Sequence, residues 1–231
     1  MAMSWCDLLF AHWSLPAETV RALVPPCLEI DVFDGRAWVA VVPFRMSGVR
    51  ARFTPALPGP GAFPELNLRT YVRVGDRPGV FFWSLDAASR LAVRAARAGF
   101  HLPYFDADMS CTAARGADGG VRIEYTSRRT HAGAPPAELA VRYGPAGEVF
   151  RAARGTLEHW LTERYCLYAV DPHGRPLRGE IHHAPWALQP AHAEFRVNTV
   201  ASAAGLQLAG SAPHLLFAHR IDVVAWLPTA A

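Results

Sequence analysis

Between residues 65 and 74 the side chains alternate without interruption. Leu66, Leu68, Thr70, Val72 and Val74 fall on one side of an extended chain. Glu65, Asn67, Arg69, Tyr71 and Arg73 fall on the other, because successive strand residues face opposite sides. The first side can enter a core. The second carries a carboxylate, an amide, a phenol and two guanidinium groups, which need water or buried partners. Such a strand either turns that face to solvent or lines the inside of a barrel with a wet cavity. The aromatic residues around it favour the barrel.

The rest of the chain is written for strands joined by turns. Gly75-Asp76-Arg77-Pro78-Gly79 closes a hairpin, and residues 80–86 read as its returning strand. In that strand Phe81, Trp83 and Leu85 oppose Phe82, Ser84 and Asp86. Residues 28–32 and 37–44 read as strands around Asp34-Gly35. Further strands are expected over 107–113, 121–129, 138–143, 165–170, 177–183 and 214–227, with turns at 116–120 and 131–136. Helices are expected over 16–23, 87–99 and 156–163, and a short helix or turn over 198–205. In the second helix Ala88, Leu91, Ala92, Ala95 and Ala96 form an apolar stripe. Arg90, Arg94 and Arg97 share another face, and Asp86 is placed to cap the N-terminus. Residues 46–63 are rich in Pro, Gly and Arg and read as a long loop or flap. Many strands and few helices imply a mainly β (α+β) domain, antiparallel, over residues 1–231.

Composition limits the chemistry. All 23 residues in the Lys+Arg count are arginine. No side chain can therefore form a Schiff base with a carbonyl compound; only the terminal amine of Met1 is left. A coding preference for arginine, alanine, glycine and proline explains the missing lysine, and the chemical consequence holds regardless. The net charge is +3, and no basic run exceeds Arg128-Arg129. That footprint is too weak for nucleic acid. Cys6, Cys27, Cys111 and Cys166 are scattered, with no metal-binding or redox spacing. No stretch resembles a cleavable leader or a membrane span, so a cytoplasmic protein with reduced thiols is expected.

Three groups of residues could carry chemistry. Glu65, Asn67, Arg69 and Tyr71 could bind a small carboxylate compound, with Arg69 as a bidentate anchor and Glu65 as an acid or base if partly dry. The alternatives are a structural Glu–Arg network and a solvent face. Glu163 and Arg164, near Tyr165 and Tyr168, read as a structural salt bridge at a helix-to-strand junction, with Glu163 also a candidate acid or base. Glu180 and His182 share one strand face while His183 points the other way. His182 is a candidate for acid–base work or a structural hydrogen bond; no third ligand for a metal is identifiable. No metal or cofactor is expected. Arg97 either faces solvent with Arg90 and Arg94 or turns inward to bind an anion.

Several segments resemble the bacterial YqjF-like family, the domain of unknown function numbered 2071. They include Leu9-Phe10-Ala11-His12-Trp13, Pro64-Glu65-Leu66-Asn67-Leu68-Arg69-Thr70-Tyr71, Gly79-Val80-Phe81-Phe82-Trp83-Ser84, Leu157-Glu158-His159-Trp160 and Gly179-Glu180-Ile181-His182-His183. That family resembles acetoacetate decarboxylase at a distance. The resemblance implies a conical antiparallel β-barrel with a central cavity and two or three helices outside. In the decarboxylase pattern a Gly-Arg-Glu helix precedes a Gly-aromatic-Pro-Lys-Lys segment. Here Ala96-Arg97-Ala98 precedes Gly99-Phe100-His101-Leu102-Pro103-Tyr104, so Tyr104 stands about where the Schiff-base lysine would be. Glu65 resembles the upstream cavity glutamate. Catalysis, if any, must then rest on Glu65 moving protons, Tyr104 steadying an oxyanion, and Asn67, Arg69, Tyr71 and Arg97 binding the substrate. The same cavity would serve a non-catalytic ligand-binding or sensing protein, or be filled by side chains in a structural one. A homo-oligomer is compatible with either.

Overall fold

The structure is a computed structural model that describes residues 1–50, 61–115, 120–208 and 212–231. Its strands are β1 (Ala2–Leu15), β2 (Glu29–Ile30), β3 (Ala37–Arg50), β4 (Phe63–Val74), β5 (Arg77–Ala87), β6 (Tyr104–Arg115), β7 (Val121–Arg129), β8 (Glu138–Pro145), β9 (Cys166–Val170), β10 (Pro176–His183), β11 (Gln189–Asn198), β12 (His214–Ala225) and β13 (Thr229–Ala230). The helices are α1 (Ala17–Arg21), α2 (Arg90–Phe100) and α3 (Leu157–Thr162), with a 3-10 turn at Ser202–Ala204. The middle of the expected 46–63 loop and most of the 116–120 turn lie outside the described residues. Residues 46–50 continue β3 instead of starting a loop.

The strand pairing closes on itself. β1 pairs with β3, β3 with β4, β4 with β5, β5 with β9, β9 with β10, β10 with β12, and β12 with β1. A second path leaves β5 through β6, β7, β8 and β11 and returns at β12. All pairings are antiparallel except β5–β6 and β5–β9, which are parallel. Along the β5–β9 contact the strands come so close that a Cβ on Gly79 would lie 2.8 Å from Cys166 O and from the Tyr168 ring. Only glycine fits there.

Because the two closed paths share β1, β3 and β4, these strands are buried on both sides. Leu8, Phe10, Ala40, Val42 and Phe44 face one apolar cluster. Leu9, Ala11, Val39, Val41, Leu66 and Leu68 face the other, which packs against Tyr125, Val141 and Tyr143 of β7 and β8. Both faces of β1 are therefore apolar, which hides its alternation.

β5 departs from the simple alternation read in the sequence. Leu68 pairs with Ser84 but Arg69 pairs with Phe82, so Trp83 is an extra residue in the ladder. A bulge of this kind flips the facing of everything after it. Val80 and Phe82 face the first cluster, Phe81 and Trp83 the second, and Leu85 and Ala87 return to the first.

The α2 expectation also needs two corrections. Its N-cap is Ser89, whose side chain accepts from Ala92 N. Asp86 is still in β5. Leu91 is exposed, and the inward face is carried by Val93 with Ala92, Ala96 and Phe100. The helix starts three residues later than expected, which rotates its apolar stripe. α3 begins as expected, capped by the Thr156 side chain.

Asp86 instead takes part in a buried ion pair. Arg129 Nε donates to Oδ1 at 2.8 Å and Nη2 to Oδ2 at 3.1 Å, and the guanidinium lies 4.2 Å from the Phe105 ring centroid. Burial pushes the Asp86 carboxyl above its ordinary range even though Arg129 pulls it down. The pair thus locks β5 to β7 at a large desolvation penalty. Arg129→Met alone should destabilise the fold by about 3–5 kcal/mol, since it strands a buried carboxylate. An Asp86→Leu/Arg129→Met double variant should recover most of that loss. Urea unfolding midpoints of the two variants check both statements.

Candidate functional site

The first closed path surrounds a cavity of about 240 Å³. Its wall is mostly apolar, and its polar residues come from few places. Glu65, Asn67 and Arg69 enter from β4, Tyr104 from the start of β6, Thr162 and Arg164 from the end of α3, and His183 from β10. Of the alternating β4 face, Glu65, Asn67 and Arg69 therefore line a cavity, Tyr71 is buried and Arg73 reaches solvent.

At one end Tyr104 Oη donates to Glu65 Oε2 at 3.1 Å. The backbone beneath is pinned by Tyr125, whose hydroxyl donates to Glu65 O at 2.7 Å. Burial raises the Glu65 carboxyl to about 8; the Tyr104 hydrogen bond pulls the other way, and Asp86 adds to the rise. Tyr104 is pushed well above its ordinary value by burial and by Glu65. At neutral pH the pair is therefore mostly a neutral carboxylic acid beside a neutral phenol.

At the other end two guanidinium groups meet around Tyr71. Arg69 lies 5.5 Å from the Phe10 ring centroid and 5.8 Å from that of Tyr71. Among the described residues it forms no ion pair, and its Nε is buried with no hydrogen-bond partner. Arg164 lies 5.0 Å from the Tyr71 centroid and 4.3 Å from that of Trp160. Its Nε donates to Trp160 O at 2.7 Å and its Nη1 to Asp31 Oδ2 at 2.6 Å, while Nη2 is buried and unpartnered. Asn67 Oδ1, between the two ends, is also buried and unpartnered.

Tyr71 is fully buried behind Arg69, its hydroxyl 2.8 Å from His12 Nε2, and does not line the cavity. His12 itself is driven well below its ordinary value by burial, then by Arg69, so it is neutral. Arg97 stays outside, donating from Nη1 to Tyr104 O at 2.7 Å on an exposed helix face. Glu163 is not paired with Arg164. It accepts from Trp186 N at 2.9 Å and from the Tyr165 hydroxyl, holding the chain after β10 in place. The β10 alternation is present, but with the opposite sense. His182 is exposed, and His183 faces the cavity, with Nδ1 2.8 Å from Ala184 O and its ring stacked on Tyr165 at 4.6 Å. Glu180 pairs outside with Arg178 at 2.7 Å. Arg164 and His183 are thus cavity residues that sequence reasoning assigned elsewhere. Among the described residues no group of three or more His, Cys, Asp or Glu side chains could hold a metal, and no helix is long and apolar enough to cross a membrane.

Residues 2–222 match the sequence model of DUF2071, described as an uncharacterized conserved protein. The chain belongs to the DUF2071 family. This DUF2071 chain is 46% identical over 226 residues to the uncharacterized protein YqjF of Bacillus subtilis strain 168, covering 98% of this chain and 90% of that one. Among solved structures it resembles an acetoacetate decarboxylase-like enzyme from Sphingomonas wittichii RW1, with TM-score 0.64 and 14% identity over 100% of this chain and 92% of that one. It also resembles the acetoacetate decarboxylase of Legionella pneumophila, with TM-score 0.63 and 12% identity over 100% and 87% of the two chains. A third is the enduracididine biosynthesis enzyme MppR complexed with pyruvate, with TM-score 0.62 and 12% identity over 98% and 89%. At these identities the DUF2071 chain shares their fold.

The buried Glu65 makes stability depend on pH. Below about 4.5 both the folded and unfolded DUF2071 chain hold this proton. As pH rises toward about 8, the unfolded chain releases it and the folded chain does not. The folded state then binds more protons, so stability falls over that window. Glu65→Gln should flatten this part of the profile and raise the melting temperature at pH 8 relative to wild type. A thermal melt series from pH 4.5 to 8.5 reads both effects.

Proposed function

We propose that this protein binds a carboxylate-bearing small molecule in the cavity, with Arg69 as the anion anchor and the Glu65–Tyr104 pair as the proton-handling end. The observation that carries the proposal is Arg69. A buried guanidinium with an unpartnered Nε and no counter-charge among the described residues is expensive to hold. A carboxylate entering the cavity would supply both the charge and the hydrogen-bond acceptors that Arg69 lacks. Arg164 Nη2 offers a further donor at the same end. The apolar wall suits the rest of a small organic ligand, since such pockets combine apolar lining with a few polar groups.

Glu65 is suited to acid–base work because its proton sits near working pH rather than three units below it. Ionised, it could take a proton from carbon next to a carbonyl; protonated, it could return one. Tyr104 already donates to Glu65, so its first role in this scheme is to steady the Glu65 carboxylate after ionisation. No step requires a side-chain amine, in keeping with the absence of lysine.

Two measurements test this. In calorimetric titration a carboxylate ligand should bind at least tenfold better than its matched primary amide. Arg69→Gln should weaken the carboxylate by about 10–100-fold, the value of a charge-assisted hydrogen bond or two, and leave the amide unchanged. Equal affinity for acid and amide would sink the anion-site reading. In D₂O, deuterium should enter a bound keto acid beside its carbonyl, at a rate rising with pH through about 8 as Glu65 ionises. Glu65→Gln should abolish that exchange. Retained affinity with no exchange in the wild-type protein would instead establish a binding or sensing role.

A further inference from the structure

The two polar ends of the cavity are far apart, and this restricts what can occupy both. Glu65 and Arg69 are four residues apart on β4, which places their Cα atoms up to about 13 Å apart at roughly 3.3 Å per residue. Arg69 does not lean back across that gap. Its guanidinium packs on Phe10 and on Tyr71, the next inward residue away from Glu65. Glu65 is held at its own end by Tyr104.

Between the ends the wall is apolar. The strand register sets Phe44 beside Glu65, Val42 beside Asn67 and Ala40 beside Arg69. On the other flank Ala87, Leu85 and Phe82 stand in the same three rows. Asn67 is the single polar residue of β4 in the middle. A three-carbon keto acid anchored on Arg69 would leave its carbonyl against Val42 and Leu85, well short of Glu65. After about 3 Å is set aside for a hydrogen bond at each end, about 7 Å remains for the ligand body, or roughly six linked atoms. The volume allows it. A dry pocket of about 150 Å³ already holds benzene, and this cavity is about 240 Å³.

Building on the carboxylate reading above, we infer that the ligand is an extended monocarboxylate. Counted from a carboxylate oxygen to the distal polar atom it spans about six or seven linked atoms, with an apolar linker and a carbonyl or other hydrogen-bonding group at the end away from the carboxylate. The carboxylate sits at Arg69, the body lies along Val42, Asn67 and Leu85, and the distal polar group meets Glu65 and Tyr104. Asn67 Oδ1, buried and unpartnered beside the body, adds a place for one donor on the ligand midway.

Calorimetric titration of the full-length protein with acetate, pyruvate, hexanoate, 5-oxohexanoate and 3-phenylpropanoate tests the inference. Hexanoate and 3-phenylpropanoate should bind at least tenfold tighter than acetate or pyruvate. 5-Oxohexanoate should bind a further threefold or more tighter than hexanoate, and Glu65→Leu should remove only that last preference. Arg69→Gln, checked for folding by its melting temperature, should weaken the whole series together. If Arg69→Gln fails to fold, the matched amides of the same five compounds replace it as the control for the anchor. Acetate and pyruvate binding as tightly as the longer acids, with the Arg69 dependence intact, would overturn the length inference and leave the anion site standing. Binding of the long acids and their amides alike would overturn the anchor instead. No binding by any member would overturn both.

Discussion

Closing the strand ladder through two routes forces β1, β3 and β4 to be covered on both faces, and the rest of the molecule follows from that. A strand with no solvent side can carry polar groups only where it meets a cavity or a buried partner. β4 meets the first condition with Glu65, Asn67 and Arg69, and β5 the second with Asp86 and its Arg129 bridge. The far faces of β1, β3 and β4 are mainly apolar; Thr70 there donates its hydroxyl to Trp38 O at 2.8 Å, and the buried Asp7 of β1 is paired with Arg45 of β3 at 3.0 Å.

Within that frame the electrostatics divide into two regimes. Glu65 answers burial by keeping its proton, with a phenol as its neighbour. An arginine cannot answer in the same way, because guanidinium stays charged inside proteins. Arg69 is left leaning on aromatic faces, which offer partial compensation through cation–π attraction. Arg164 is better served, with Asp31 and a backbone carbonyl, yet it too keeps one donor free toward the cavity. The asymmetry makes one end of the cavity neutral and the other cationic.

How much of this was readable in the chain depended on whether a residue's fate is local. The inward set Glu65, Asn67 and Arg69 is a period-two pattern and was legible as a set; whether it faced water or a cavity was not. β1 was missed because Leu8, Leu9, Phe10 and Ala11 are apolar on both sides and show no alternation. β11 was missed because its packed face is built mainly from Ala191 and Ala193, with Phe195 the one large side chain. The histidine pair shows the limit most sharply. The sequence says that His182 and His183 face opposite ways, but only the pairing of β10 with β9 and β12 says which one looks inward. Trp83 is a similar case: a single bulged residue reverses every later side chain of β5. Arg164 was matched with its neighbour Glu163, whereas its partner Asp31 lies 133 residues away, a distance no local pattern encodes.

The doubly covered sheet has a consequence for how such a protein can diversify. With core on its reverse side, β4 has no freedom to slide or tilt, so its three cavity positions stay fixed in space whatever side chains they carry. New ligand preferences must come from exchanging those side chains, not from remodelling the backbone. A frame of this kind separates inheritance of shape from inheritance of chemistry. That separation fits a fold shared with solved structures at 12–14% sequence identity.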